Sequence, residues 1–340
     1  MPETSLDVSP VDWPRLHGRA LAGRRCLVTG VAGFIGSHVA DALLAVGATV
    51  RGMDDLSEGE ERNIPAGLEM VRADICDAEG CRSAVEGCEL VFHLAAKVSV
   101  PRSVSDPVGY HETNVTGALN LLEAASHAGV KRFIYSASSS AYGDQPELPK
   151  HESMFAKPMS PYAAGKLAAE HYVRSHAAVY DMDAVSLRYF NIFGPRQNAN
   201  SAYAGVIAAF ARDLLAGERP TIYGDGTASR DFTHVANAVH ANLLAATRSE
   251  PLRGEVFNVG IGRRVTVSEL AIMMARLVQG ITGTPAPEPH FAPPRPGDVP
   301  HSLADLSNVR EALSYAPVVD LEDGLRGTLA WYAGATRRSS

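Results

Sequence analysis

The chain has 340 residues, is 46% hydrophobic and carries a formal net charge of −7, which describes a globular chain of one or two domains with room for a large core. Its basic residues are scattered, so it lacks the clustered footprint of a nucleic-acid-binding domain. Cys26, Cys76, Cys81 and Cys88 show no C-x-x-C spacing and read as small reduced residues of a cytoplasmic protein. Arg24-Arg25 precedes an apolar run that breaks at a glycine turn, so no segment is expected to span or cross a membrane.

Residues 1–22 contain Trp13, Pro14 and Leu16 without helical periodicity and read as a strap over the surface. From Arg25 onward, short β-rich runs alternate with helical stretches. The expected order is a strand at Cys26 to Thr29, a helix at Ser37 to Val46, and strands at Thr49 to Met53 and Glu69 to Arg72. Strands at Leu90 to Leu94 and Arg132 to Ser136 continue the series around a long helix from Thr113 to Ala128. This is the pattern of an α/β, doubly wound parallel sheet, with ligand expected at the carboxyl ends of the strands. After Asn191 the texture shifts to Gly-, Pro- and Asn-containing loops, and a smaller lobe begins. Phe257-Asn258-Val259-Gly260 reads as a strand returning to the first lobe, and seven prolines between Pro285 and Pro300 precede a final helix near Asp305 to Leu313. The predicted division is a Rossmann-type domain over 23–190 with 234–262, and an interleaved substrate lobe over 191–233 with 263–335.

Three segments carry chemistry. Gly30-Val31-Ala32-Gly33-Phe34-Ile35-Gly36 follows a strand and opens a helix, so backbone amides can approach a pyrophosphate without a Cβ in the way. Asp54 follows at the end of the second strand, where a carboxylate accepts ribose hydroxyls. Asp54 and Asp55 would repel a 2′-phosphate, which favours NAD over NADP. Asp74-Ile75 either bounds the adenine or is a plain loop.

The second segment is Ser138-Ser139-Ser140-Ala141-Tyr142-Gly143, and the third, further along the chain, is centred on Tyr162 and Lys166. With 11 tyrosines and 5 lysines, a Tyr followed four positions later by Lys arises by chance about 0.2 times, and that spacing sets the two on one helix face. Ser160 reads as the N-cap and Pro161 as the first helical residue. A tyrosine base at neutral pH needs its pKa lowered by ~3 units, roughly 4 kcal/mol. An exposed ion pair, worth at most ~1 kcal/mol, cannot supply that. A lysine ammonium ~4 Å away at an effective dielectric of ~20 gives about 4 kcal/mol before desolvation, and an oxidised nicotinamide adds a second positive charge. Ser138 completes the acid/base set by hydrogen-bonding the reacting oxygen, as a relay or to hold developing charge. The 12 histidines form no H-E-x-x-H or comparable cluster, so no metal is predicted.

At these residues the chain resembles the extended short-chain dehydrogenase/reductases, and within them the nucleotide-sugar 4-epimerases, from about Arg24 to Tyr332. His93-Leu94-Ala95-Ala96, Asn114-Val115-Thr116-Gly117, Leu187-Arg188-Tyr189-Phe190-Asn191, Gly224-Asp225-Gly226 with Ser229-Arg230-Asp231-Phe232, and Arg295-Pro296-Gly297-Asp298-Val299 look like family segments. The resemblance implies that Leu94, Ala95, Ala96 and Tyr189 join Gly30, Gly33, Phe34, Ile35, Gly36, Asp54, Asp55, Asp74, Ile75, Tyr162 and Lys166 around NAD. It assigns a UDP-sugar to Ser99, Ser138, Ser139, Asn191, Val206, Tyr223, Arg230, Arg295, Asp298 and Ser302. Within that set Asn191 holds the diphosphate, Arg230 and Arg295 clamp phosphate oxygens as planar forks, and Asp298 meets the ribose.

The implied reaction takes the proton of the sugar 4-hydroxyl onto Tyr162 while C4 is oxidised by NAD, then returns both after the 4-keto sugar has turned over. Relatives that dehydrate or decarboxylate carry acidic residues before the Tyr-Gly pair, where this chain has Ser139 and Ser140. Ser302 stands where relatives specialised for unacetylated hexoses resemble one another in bearing tyrosine, and Asn198 to Ile207 looks like the N-acetylhexosamine branch. The implied substrates are UDP-GlcNAc and UDP-GalNAc, with UDP-glucose/UDP-galactose or uronic acids as alternatives and an NAD-binding regulator as the non-enzyme alternative. Lys97 departs from the branch and either contacts the sugar, contacts cofactor phosphates, or points to solvent. The resemblance also implies a homodimer packed through 114–128 and 161–178.

Overall fold

The computed structural model describes residues 11–199, 205–294 and 299–339. Its first half alternates strand and helix: α1 (Trp13–His17), β1 (Arg25–Thr29), α2 (Phe34–Ala45), β2 (Thr49–Asp54), β3 (Glu69–Arg72), α3 (Ala78–Val85), β4 (Leu90–His93), α4 (Val100–Ser105), α5 (Pro107–His111), α6 (Ala118–His127), β5 (Arg132–Ser138), α7 (Pro161–Val179) and β6 (Ala184–Tyr189). The second half uses shorter strands: β7 (Ile192–Phe193), α8 (Val206–Leu215), β8 (Thr221–Tyr223), β9 (Ser229–Arg230), β10 (Thr233–His234), α9 (Val235–Thr247), β11 (Glu255–Val259), β12 (Val265–Thr266), α10 (Val267–Thr282), β13 (His290–Ala292), α11 (Ser307–Leu313) and α12 (Leu321–Ser339).

Seven strands form one parallel sheet in the order β11-β6-β5-β4-β1-β2-β3. The chain moves outward from β1 through β2 to β3, then restarts at β4 on the other side of β1, leaving a crevice at the carboxyl ends of β1 and β4. Thr29 and His93, paired in register there, hydrogen-bond through Oγ1 and Nδ1 at 2.8 Å. Both faces are covered, as near-continuous apolar strands require. Val28, Phe92, Ile134 and Leu187 pack with α2, α9 and α11 on one face, while Leu27, Val91, Phe133 and Tyr135 pack with α3, α6 and α7 on the other. A separate core joins Ile207 and Phe210 of α8, Leu270 and Met274 of α10, and Leu325 and Leu329 of α12. The short strands pair as β7–β10, β8–β13 and β9–β12.

The doubly wound sheet expected from the sequence is present, with strand and helix ends slightly shifted. Three local readings are corrected. Residues 13–17 form a turn of helix, started by Asp12, whose Oδ1 accepts from Arg15 N at 3.0 Å, with Trp13 buried beneath it. The long helix expected at Thr113 to Ala128 is two pieces: a π-type turn over Glu112–Gly117 leads into α6. The helix near Asp305 to Leu313 is not the last, because after Pro317 the Asp320 carboxylate caps a new start, accepting from Asp323 N at 2.9 Å, and α12 follows.

Candidate active site

The carboxyl ends of the strands open into one cavity of about 1030 Å³. Its floor is the glycine turn. Gly30 has φ +69°, and a Cβ at Gly36 would stand 2.0 Å from the Gly30 carbonyl oxygen, so only glycine lets α2 begin this close to β1. Gly33 is the N-cap of α2 and no side chain caps the helix, which leaves its first-turn amides for an anionic ligand. Phe34, Ile35 and Gly36 line the cavity at that point. Asp54 ends β2 and is oriented by two amides: Oδ2 accepts from Ala32 N and Oδ1 from Leu56 N, both at 2.9 Å. Burial raises its pKa, and these bonds oppose the rise. Asp55, Asp74 and Ile75 line the same end, and Leu94, Ala95 and Ala96 line the wall above β4. The glycine cradle, the uncapped helix start and the fixed carboxylate fit a dinucleotide; the residues that would hold it are those of the turn, Asp54 and the β4 loop.

The acid/base residues come from two elements. Ser160 Oγ accepts from Ala163 N at 3.1 Å and Pro161 opens the first turn of α7, so Tyr162 and Lys166 project from one face into the cavity. Ser138, at the end of β5, faces the same cavity as the Tyr162 phenol; its Oγ accepts from Ser140 N at 3.2 Å and meets Ser140 Oγ at 2.8 Å. Burial pushes the Tyr162 pKa up, and the neighbouring Ser138 side chain counters it in part. Burial pulls Lys166 down to about 7 against the attraction of Glu170. The Lys166 ammonium lies 4.4 Å from the Tyr135 ring centroid, a cation–π contact.

The opposite wall is built by segments that follow β6. Asn191, at φ +39°, donates from Nδ2 to the Asp231 carbonyl at 3.2 Å. Arg230 donates from Nη1 to the Ser229 and Pro300 carbonyls, both at 3.0 Å. The buried Asp231 carboxylate ties this strand to the β11 loop by accepting from Ile261 N at 2.9 Å and Gly262 N at 3.0 Å, and burial raises its pKa to about 6. Ser302 is held through its backbone N to Ser229 O at 2.9 Å.

Of the residues singled out in the sequence, Ser99, Ser139, Tyr189, Asn191, Arg230 and Ser302 thus share the cavity with the glycine turn and the Tyr162 cluster. The Tyr189 hydroxyl is turned away, accepting from Asn242 Nδ2 at 2.6 Å. Val206 and Tyr223 lie outside the lining, although Gly205 belongs to it. Arg295 and Asp298 fall outside the described residues. Lys97 lines the cavity on a backbone clamped from both sides by Asn114, with Lys97 N to Oδ1 at 2.8 Å and Nδ2 to Lys97 O at 3.0 Å, and its ammonium stands 3.5 Å from Asp106. Sequence reasoning missed Glu58, Arg102, Lys150, Arg196, Gln197 and His301, all in the lining. Arg196, held to Asp41 Oδ2 at 2.7 Å, had a signal in Gly194-Pro195-Arg196, which read only as a loop. Among the described residues no group of His, Cys, Asp and Glu is placed to hold a metal ion, and no helix is long and apolar enough to cross a membrane.

A family model described as the NAD dependent epimerase/dehydratase family matches residues 26–260. The UDP-glucose 4-epimerase of Mycolicibacterium smegmatis is 42% identical over 91% of this chain and 98% of its own length. Among solved structures, a UDP-N-acetylglucosamine 4-epimerase from Methanobrevibacter ruminantium, in complex with UDP-N-acetylmuramic acid, superposes with a TM-score of 0.87 at 38% identity, covering 92% of this chain and 99% of that one. The Thermus thermophilus UDP-glucose 4-epimerase in complex with NAD gives 0.82 at 37% identity over 92% and 99%. With that match across most of its length, the chain belongs to the NAD dependent epimerase/dehydratase family.

Proposed function

We propose that this protein is a UDP-sugar 4-epimerase that interconverts UDP-GlcNAc and UDP-GalNAc. The observation that carries the reading is the convergence of Tyr162, Lys166 and Ser138 beside the glycine turn in one cavity. NAD, when bound, supplies reversible oxidation at C4 of the sugar. Tyr162 Oη holds and returns the proton of the 4-hydroxyl, and Ser138 Oγ steadies the same oxygen. Lys166, charged beside the cofactor, favours the phenolate. Inversion requires that the planar C4 carbonyl offer either face to one tyrosine, so the sugar must turn while its diphosphate stays held. Asn191 and Arg230, on the far wall, suit that task, with Arg295 and Asp298 as further contacts to the nucleotide.

Acetylated sugars are favoured because Ser302, at the cavity wall, leaves the room that a tyrosine would fill. Ser139 and Ser140 offer no carboxyl for the second proton transfer of a dehydratase. The remaining assignments are a homodimer packed through 114–128 and 161–178 and a cytoplasmic location, the latter supported by four free cysteines.

The test is to incubate the purified protein, without and then with added NAD, with UDP-GlcNAc and UDP-glucose separately and to follow the anomeric signals by NMR. Formation of UDP-GalNAc is the expected result. Turnover of UDP-glucose alone would keep the epimerase and overturn the choice of sugar, and no turnover of either would overturn the reaction.

A further inference from the structure

The helix that presents Tyr162 and Lys166 carries a third ionisable group at the same spacing. Glu170 lies one turn beyond Lys166 on the same face of α7 and is 3% exposed. Its carboxylate is already engaged at two points by Arg188 of β6: Nη2 donates to Oε1 at 2.6 Å and Nε to Oε2 at 2.8 Å. The Arg188 guanidinium in turn lies 4.7 Å from the Tyr142 ring centroid.

The other groups around Lys166 are neutral. Tyr135 of β5 presents its ring face to Nζ, and burial drives its phenol pKa well up. His93 of β4, also buried, is pulled down to about 3 by its burial and then by Lys166 itself. Tyr162 stands one turn back on α7, with Tyr110 of α5 beyond it. The attraction that acts on Lys166 is that of Glu170.

A buried arginine–carboxylate pair is poor evidence of a stabilising role, because desolvation offsets most of the attraction and apolar residues of similar volume serve as well. Its position calls for another explanation. A Glu170 without Arg188 would be a bare carboxylate one turn from a buried ammonium, and would capture it in a direct ion pair pointing away from Tyr162. A Lys166 without Glu170 would keep only the Tyr135 ring face against its burial and the arginine cation.

We propose that Glu170 and Arg188 are a positioning pair that sets the charge on Lys166, Glu170 favouring the ammonium form and Arg188 limiting that pull by occupying both carboxylate oxygens. The proposal rests on reading Lys166 as the partner of Tyr162, but the charge it describes can be measured without turnover.

The chain has five lysines, so the NAD-loaded protein labelled with 13C at the lysine ε-carbon gives five signals. The Lys166 signal is the one lost in Lys166→Met. In Glu170→Gln the titration midpoint of Lys166 should move to lower pH, and in Arg188→Met to higher pH, each by about one unit, a tenfold change in the proton equilibrium. The double variant Glu170→Gln/Arg188→Met removes both charges of the pair together and covers the case in which a single variant fails to fold; its midpoint should lie below wild type, by less than for Glu170→Gln alone. Midpoints that stay fixed, or that move the same way in both single variants, would overturn the proposal, since a purely structural pair has no reason to act with opposite signs. The alkaline limb of kcat in epimerisation should follow the same midpoints. Midpoints that shift as expected while that limb stays still would uphold the pair and overturn the reading of Lys166.

Discussion

The two walls of the cavity are built by different means. On the cofactor side, residues sit at the ends of a seven-stranded sheet whose ladders fix every strand end, and the key groups are locked at short range: Asp54 by two amides, the α2 start by glycine contacts, Ser138 by the turn that follows it. On the far side, Asn191, Arg230 and Ser302 hang on two-residue strands and loops, braced by Asp231 reaching across to the β11 loop. A wall fixed by a continuous ladder suits chemistry common to many substrates. One fixed by single side-chain ties can change its sugar without disturbing the sheet.

The largest expected effect lies on the rigid wall. Tyr162→Phe should lower epimerisation by about 10²–10⁴-fold, the usual contribution of a positioned acid/base, while the NAD content of the purified protein, read by absorbance after denaturation, stays at the wild-type level. Gly36→Ala should do the reverse. Its methyl would meet the Gly30 carbonyl, and overpacking of this kind costs about 1–3 kcal/mol. Co-purified NAD should fall and Tm should drop, with Tyr162 itself untouched. If Gly36→Ala keeps its cofactor and its Tm, the turn is less constrained than the contact implies.

The loop-built wall should respond more gently and more selectively. Ser302→Tyr should raise KM for UDP-GlcNAc about tenfold, roughly 1.4 kcal/mol, and leave KM for UDP-glucose nearly unchanged. Equal changes for both sugars would show that this wall does not sort them. The smallest effect is local and concerns α1. His17 Nε2 and His240 Nδ1 share a hydrogen bond at 2.9 Å, and burial lowers both pKa values, that of His240 to about 4. Below the unfolded value near 6.5, the unfolded chain binds protons that the folded one refuses, so this stabilisation is present above pH 6.5 and is lost as pH falls toward 4. Trp13 emission should shift to the red over that window, and His240→Gln should flatten the shift.

Much of the rigid wall was legible in the sequence, because its signals are local. A β-run, three glycines at spacings of three and an acidic strand end all fall between Arg25 and Asp54, and Tyr162 with Lys166 is a one-turn pattern behind a Ser-Pro start. The far wall was legible chiefly by resemblance. Ser302 and Arg230 are remote from each other along the chain, and ties such as Ser302 N to Ser229 O and the Arg230 side chain to Pro300 O bring them together. The short α1 escaped notice because a single turn is too brief to show periodicity, and α12 lay beyond the helix that read as the final one. Glu170 and Arg188 could not be paired from sequence at all. One lies on a helix and the other on a strand, and each alone reads as an ordinary surface charge until burial shows otherwise.

The position of β11 has a bearing on how the chain comes to be folded. Residues 255–259 complete the sheet beside β6, although the whole of 190–254 lies between the end of one strand and the start of the other. During synthesis from the N-terminus, the first six strands are made while the outer side of β6 still carries a row of unsatisfied amides and carbonyls, the kind of edge that recruits strands from neighbouring chains. Closing it late and over so long a separation is slow. Nascent or refolding protein should therefore be most prone to self-association in the interval before β11 docks, and a fragment ending ahead of Glu255 should aggregate where the full-length chain stays dispersed.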